Sequence, residues 1–362
     1  MKILAIHPYG IGDVLFMTPL LRAIRKQLSV EYIDVIIGSR TKEVLENNPD
    51  INGLFVIDKD RWRGQGKIRT WLEKRRLYKE FKRRRYDVLI DFSLRKEYAK
   101  WLEGLKIPKR IGFDHQGRGR YLNYRIDLSK EGFAGRHAIE YNSELGKFLG
   151  VNVDDKHLEF NIPPEAIKKA EELLAGYNIS LDKKIVAVVP GSGSSWGKDA
   201  YLKQWPAENF AILLNNISQD TDFDAVVILG SSKESSIAES LKENVTKKAI
   251  NLCGKTNLSI SAALIKRSAF FLGNDGGMVH IAKSLNVPLI AIYGPVDPDV
   301  YGPYPKSERS VALFKKGLDC RPCYFGFRYK NNCISNNCLK DFTSEEAYRQ
   351  IQEKHFLKIL VK

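Results

Sequence analysis

Short apolar runs, many of them β-branched, alternate along this chain with stretches in which apolar positions return every three or four residues. The runs at 2–6, 32–37, 53–57 and 87–91 read as strands. Helical spacing runs through 14–28, 42–47, a basic stretch after residue 61, and 138–149. Strands that are apolar on both faces, separated by helices, are the pattern of a parallel sheet covered on both sides. At Asn161-Ile-Pro-Pro the texture changes. Two prolines precede a helical stretch at 165–175, and Gly176 stands where that helix would end. The alternation then restarts, with apolar runs at 184–189, 225–229, 269–272 and 287–293 and helical spacing at 207–216, 235–243 and 260–267. The pattern predicts two doubly wound α/β halves: a first domain over 1–163, a second over 164–343, and an amphipathic helix over 344–362 packing across the joint.

Length agrees, since 362 residues exceed what one hydrophobic core usually supports. With 43% hydrophobic and 28% charged residues, the chain can bury substantial cores and is not broadly disordered. No apolar stretch reaches the roughly 20 residues of a membrane-spanning helix. The start MKILAIHPYGIGDV turns polar too soon for a signal peptide, so a cytoplasmic location is expected.

Positive charge is concentrated in one block. Between Arg61 and Arg85 stand twelve Lys or Arg against two Glu, so this block supplies +10 of the net +15. Such a block attracts polyanions, whether nucleic acid, lipid headgroups or phosphorylated glycans. Leu72, Leu77 and Phe81 recur at helical spacing within it and could dock one side of a helix that is otherwise a solvated face.

Ligands of open parallel sheets bind beyond the carboxyl ends of the strands, which points to three loops and to a cleft shared by the two halves. The first is His7-Pro-Tyr-Gly-Ile-Gly-Asp13. Its glycines admit a ligand close to the backbone, and Asp13 at a helix start is stabilised as a carboxylate, fit either to cap the helix or to accept a proton. Leu15 stands where a dinucleotide fingerprint needs its third glycine. The second loop is Pro190-Gly-Ser-Gly-Ser-Ser-Trp-Gly-Lys198, followed by Lys203-Gln-Trp-Pro206. Small residues after a strand form an anion nest or a simple turn, and Lys203 could bring a cation to a phosphate. A Walker loop fails on spacing, and Asp199 follows Lys198 where Ser or Thr should bind magnesium. The third is Gly273-Asn-Asp-Gly-Gly-Met-Val-His280, where Asp275 suits a helix N-cap, the amides at Gly276 and Gly277 suit a diphosphate, and His280 lies one turn on.

Taken in order, GIGDVLFMTPLLRAIR, PGSGSSWGKDAYLKQWP and LGNDGGMVHIAKSLNVPLIAIYGPVDP resemble glycosyltransferase family 9, the ADP-heptose:lipopolysaccharide heptosyltransferases. The resemblance spans nearly the whole chain. It implies a GT-B fold, two Rossmann-like domains facing a central cleft, with an acceptor half first and a donor half second. It also implies inverting, metal-independent transfer of heptose from ADP-heptose to a lipopolysaccharide core, with no cofactor required. By resemblance Asp13, beside Gly12, is the catalytic base and Lys203 neutralises the leaving diphosphate. Glu234 lies near the donor's ribose or sugar hydroxyls, and Ser192, Gly193, Asp275, Gly276, Gly277 and His280 bind the donor. The family usually places Ser or Thr after the motif Asp. Here that residue is Gly276. Metal-binding DxD matches occur at Asp58-Lys-Asp60 and Asp297-Pro-Asp299 and are weak.

A phosphorylated glycolipid acceptor gives the basic block a partner. Lys74, Arg75, Arg76, Arg83, Arg84 and Arg85 would hold the protein peripherally on the anionic cytoplasmic leaflet, with Trp62 and Trp71 at headgroup level and no nucleic acid involved. Other readings are a GT-B enzyme using a different donor such as a UDP-hexose, and a non-enzymatic polyanion- or nucleotide-binding protein. Cys320, Cys323, Cys333 and Cys338 have one C-x₂-C pair of the zinc type, and a structural metal site, free thiols and disulfides all remain open for them.

Overall fold

The computed structural model describes residues 1–193, 197–329, 333 and 335–360. It divides into two compact units, Met1–Asn161 and Ile162–Lys362.

In the first unit, β1 (Lys2–His7), β2 (Tyr32–Gly38), β3 (Gly53–Ile57), β4 (Val88–Asp91), β5 (Lys109–Asp114) and β6 (Tyr124–Asp127) form one parallel sheet in the order β3-β2-β1-β4-β5-β6. β1 is central, and Ile3, Leu4, Ala5 and Ile6 are all buried, as expected where helices cover both faces. The strand order reverses between β1 and β4. The residues following those two strands therefore sit at the topological switch point, where such sheets bind ligands. β5 and β6 carry no strand signal along the chain because Lys109, Arg110, Tyr124, Arg125 and Asp127 interrupt the apolar pattern near the sheet edge.

The expected helix over 14–28 is two helices, Ile11–Leu15 and Thr18–Gln27. Pro19, with no N–H to donate, sits in the first turn of the second, where a proline is tolerated. The earlier start places Asp13 inside the first helix. The basic block forms Lys59–Gly64 and Lys67–Arg84. Leu77 and Phe81 dock the longer helix on the core beside Leu4, Ile36 and Tyr98.

In the second unit, β7 (Ile185–Val189), β8 (Ala225–Ile228), β9 (Lys248–Asn251), β10 (Phe270–Asn274), β11 (Leu289–Ile292) and β12 (Ser310–Leu313) form a second parallel sheet, in the order β12-β11-β10-β7-β8-β9. Its switch point lies between β7 and β10. A short antiparallel pair, β13 (Tyr324–Phe325) and β14 (Arg328–Tyr329), follows. The C-terminal stretch is two helices, Ser344–Glu353 and Leu357–Leu360, separated near His355 at φ 53°. Within it, Ala347, Ile351, Phe356 and Leu360 complete the second unit's own core, against the helix Ala207–Asp220 and β12. Val361 and Lys362 lie outside the described residues. Among those residues no helix is long and apolar enough to cross a membrane.

Candidate functional site

At the first switch point the chain leaves β1 through Pro8-Tyr9-Gly10 and enters the helix Ile11–Leu15. Asp13, half-buried, folds back so that Oδ2 accepts the Gly10 N–H at 3.1 Å, satisfying one amide that a helix start leaves open. A Cβ at Gly10 would lie 2.8 Å from that oxygen, so glycine is what lets the carboxylate approach. Gly12 is half-buried in the same turn.

Beneath this loop, His7 ends β1 and Asp91 ends β4. The His7 ring stacks on Phe92, with centroids 6.2 Å apart, and meets Tyr9 edge-on. Its buried Nδ1 has no hydrogen-bond partner. Burial, with Lys59 nearby, pulls its pKa down to about 3. Burial acts oppositely on Asp91, which accepts the Ser93 N–H at 2.8 Å and is raised to about 6.

These shifts predict opposing pH dependences. Between about pH 3 and 6.5 the unfolded chain protonates His7 and the folded one does not, so acid destabilises the fold through His7, by ~3 kcal/mol near pH 4. Asp91 binds its proton more tightly when folded, so its contribution declines as pH rises from 3.8 to about 6, over a narrower span. His7→Phe should therefore flatten the fall in melting temperature between pH 6.5 and 4. An unchanged slope would show that His7 is not buried neutral.

The second switch point is built from four loops. Asn274, buried at the end of β10, donates through Nδ2 to the Pro190 carbonyl at 2.6 Å and accepts the Trp205 N–H on Oδ1 at 3.1 Å. It thereby ties the turn after β7 to the Lys203–Pro206 segment. Trp205 is itself buried, its Nε1 donating to the Phe342 carbonyl at 2.6 Å. These contacts seat Lys203, also buried, with Nζ 2.7 Å from Asp275 Oδ2. The contact is an ion pair rather than an aligned hydrogen bond. Two desolvated opposite charges persist only because they face each other.

Ser192, buried, donates to the Ala200 carbonyl at 2.6 Å. Glu234 acts mainly on backbone: Oε1 accepts the Gly193 N–H at 3.0 Å, and Oε2 accepts the N–H and hydroxyl of Ser231 at 2.8 and 2.7 Å. Any Cβ at Gly191 would overlap Glu234 Oε1 at 1.9 Å. Gly276 precedes the helix Gly277–Ser284 in extended conformation, φ 173°, and His280 is buried on that helix. Ser194, Ser195 and Trp196 lie outside the described residues. The second loop cluster thus unites Ser192, Gly193, Lys203, Glu234, Asp275 and Gly276, with Gly277 and His280 on the helix that follows. The structural roles of Asn274, Gly191 and Ser231 are not evident from residue type alone, although Asn274 stands directly before the Asp275 that the motif singles out.

The basic helix is less uniform than its composition. Arg84 turns inward to Asp34, at 2.7 Å, and to Glu80, at 3.0 Å, so it leaves the exposed set. Lys74 Nζ lies over the Trp62 ring at 5.0 Å, while Arg75, Arg76, Arg83 and Arg85 are exposed. Trp62 is half-buried: its Nε1 donates to Glu73 at 2.7 Å and its ring meets Trp101 edge-on.

All five cysteines are free thiols. Burial pushes Cys338 and Cys253 up to about 12. Among the described residues no group of three or more His, Cys, Asp or Glu is arranged to hold a metal. Both DxD matches serve as local structure. Asp58 and Asp297 cap helices, accepting from Arg61 and Asp299 N–H at 2.9 Å each, while Asp60 pairs with Arg40 and Asp299 with Lys306.

The model of glycosyltransferase family 9 (heptosyltransferase) matches residues 74–324, more than half the chain and including the whole second switch point. The chain belongs to glycosyltransferase family 9. As a family 9 glycosyltransferase it is an enzyme, and lipopolysaccharide heptosyltransferase 2 of Salmonella typhimurium is 26% identical to it over 323 residues, covering 86% of this chain and 88% of that one. Among solved structures, E. coli ADP-heptose lps heptosyltransferase II superposes with a TM-score of 0.74 at 21% identity, over 99% of both chains. E. coli heptosyltransferase WaaC with ADP superposes at 0.71 and 20%, over 98% of this chain and 100% of that one. The fold is GT-B.

By the resemblance described above, Gly276 stands in this glycosyltransferase where a Ser or Thr hydroxyl is expected. A Cβ there would lie 3.7 Å from the nearest atom, the Ser192 carbonyl oxygen, in ordinary contact, and φ 173° suits any residue. Gly276→Ser should fold normally, and if the diphosphate of ADP lies over this turn it should tighten ADP binding several-fold, about 1 kcal/mol for one added neutral hydrogen bond. Calorimetry showing weaker ADP binding would place no phosphate near that residue.

Proposed function

We propose that this enzyme transfers heptose from ADP-heptose to the core of a lipopolysaccharide or lipooligosaccharide acceptor, with inversion and without a metal. The observation that carries the reading is the buried Lys203 ammonium, held by Asp275 directly before the helix start at Gly276 and Gly277, at the carboxyl end of β10. A fixed cation and a helix N-terminus favour the dianionic diphosphate, and more so as charge grows on it during bond cleavage. In support, the relatives named above are heptosyltransferases, one of them solved with ADP.

The first unit supplies the base. Asp13 removes the proton of the acceptor hydroxyl as that oxygen bonds to the anomeric carbon. The bond from that carbon to the diphosphate oxygen breaks on the opposite face, and ADP departs with the electron pair. Asp275 holds Lys203 in place, and Glu234 holds the Gly193 and Ser231 backbone beneath the donor. Because such acceptors are anchored in lipid, the exposed cations of the basic helix would keep the enzyme peripherally at an anionic cytoplasmic leaflet, each contributing about 1 kcal/mol near the surface.

Calorimetry with ADP-heptose against UDP-hexoses, followed by ADP release in the presence of a lipopolysaccharide core acceptor, tests the reading. ADP-heptose should bind at least about tenfold tighter and be consumed only when acceptor is present. Preference for a UDP-sugar would reassign the donor. Consumption of neither, with salt-sensitive binding to nucleic acid, would favour the non-enzymatic alternative.

A further inference from the structure

The helix Lys67–Arg84 carries a feature that charge alone does not explain. Its C-terminal half docks through Leu77 and Phe81, but its first two turns expose three large apolar side chains: Ile68 at 77%, Trp71 at 56% and Leu72 at 52%. Spaced at i, i+3 and i+4, they share one face. Lys67, Arg69, Arg75 and Arg76, all exposed, surround that face, and the Arg75 guanidinium lies 5.2 Å from the centroid of the Trp71 ring. The two acids of the block are already engaged, Glu73 by Arg61 and Trp62, Glu80 by Arg83 and Arg84. The rim of the patch is therefore uniformly cationic.

We propose that Ile68, Trp71 and Leu72 insert into the interfacial layer of an anionic bilayer, and that the surrounding cations hold the headgroups while this apolar tip enters below them. This deepens the lipid-anchored-acceptor reading, on which it rests for its membrane. Aliphatic Ile68 and Leu72 offer no hydrogen bond to a base or a phosphate, whereas hydrocarbon within a few ångströms of a headgroup layer receives them. A second copy of the same face is disfavoured because like charges would meet around the whole rim. Trp71, not Trp62, is the interfacial tryptophan.

The test uses the full-length protein with vesicles of phosphatidylethanolamine and phosphatidylglycerol. Ile68→Ser/Trp71→Ser/Leu72→Ser should lower partitioning about tenfold or more and leave no binding at high salt, where the unaltered protein keeps a residue of attachment from its apolar tip. Brominated lipids should quench tryptophan emission of the unaltered protein, and Trp71→Phe should abolish most of that quenching, a readout independent of whether the triple variant folds. Unchanged partitioning of a folded triple variant, or quenching that survives Trp71→Phe, overturns the insertion. So does retention on single-stranded RNA tighter than on vesicles. Failure of the glycosyltransfer reading shows separately, as absence of sugar transfer by the unaltered protein whatever the vesicles report.

Discussion

Asp13→Asn should lower kcat/KM for sugar transfer by about 10²- to 10⁴-fold, the usual contribution of a positioned general base. The substitution is informative because it is nearly isosteric. The Asn side-chain oxygen can still accept the Gly10 N–H that Asp13 holds at 3.1 Å, so the turn after β1 keeps its local bond while the proton acceptor is lost. Asp13→Ala would remove that bond as well, at about 1 kcal/mol, and confound chemistry with stability. ADP affinity and melting temperature of the Asn variant should match the parent, since the groups assigned to nucleotide belong to the other unit. ADP release with saturating acceptor measures the effect. Near-normal turnover would remove Asp13 as the base.

Lys203→Met should do two things at once. It takes away the cation assigned to the leaving diphosphate, worth about 10²- to 10³-fold in kcat by analogy with other preorganised charge-stabilising groups. It also leaves Asp275 buried without the ammonium 2.7 Å away. Breaking one side of a buried pair costs about 3–5 kcal/mol, which in a domain of this size lowers the melting temperature by roughly 10 °C. Lys203→Met/Asp275→Asn separates the two consequences. Removing both charges should restore most of the stability, because the uncompensated carboxylate is gone, yet transfer should stay as low as in the single variant. If the double variant regains transfer, Lys203 is a structural partner of Asp275 and no more; if Lys203→Met melts like the parent, the pair is not desolvated as described.

The resemblance read from the three loop motifs agrees with the family the chain belongs to, and those motifs are also where the fold places its two switch points. They were legible because a strand end followed by glycine and a polar residue is written in consecutive positions. The supports of the second site were not. Asn274 works by bonding Pro190 and Trp205, 84 and 69 residues away, and no local pattern reports such a partner. Glu234 shows the same limit. By resemblance it lies near the donor's sugar, and in the fold one of its oxygens also receives the Gly193 N–H, from 41 residues away.

Periodicity was sufficient for the central strands, since a strand buried on both faces must be apolar throughout, and composition was sufficient for the cationic helix. Edge strands such as β6, where Tyr124 and Arg125 face solvent, carry no such signal. Which charges remain outside was likewise a matter of three-dimensional packing. Arg84 and Arg85 are adjacent and alike in the chain, but only Arg84 lies over buried Asp34, so one is bound inward and its neighbour is left to water. Local chemistry and spacing are written along the backbone; burial and pairing depend on residues brought together from far apart, and they exist only once the sheets have formed.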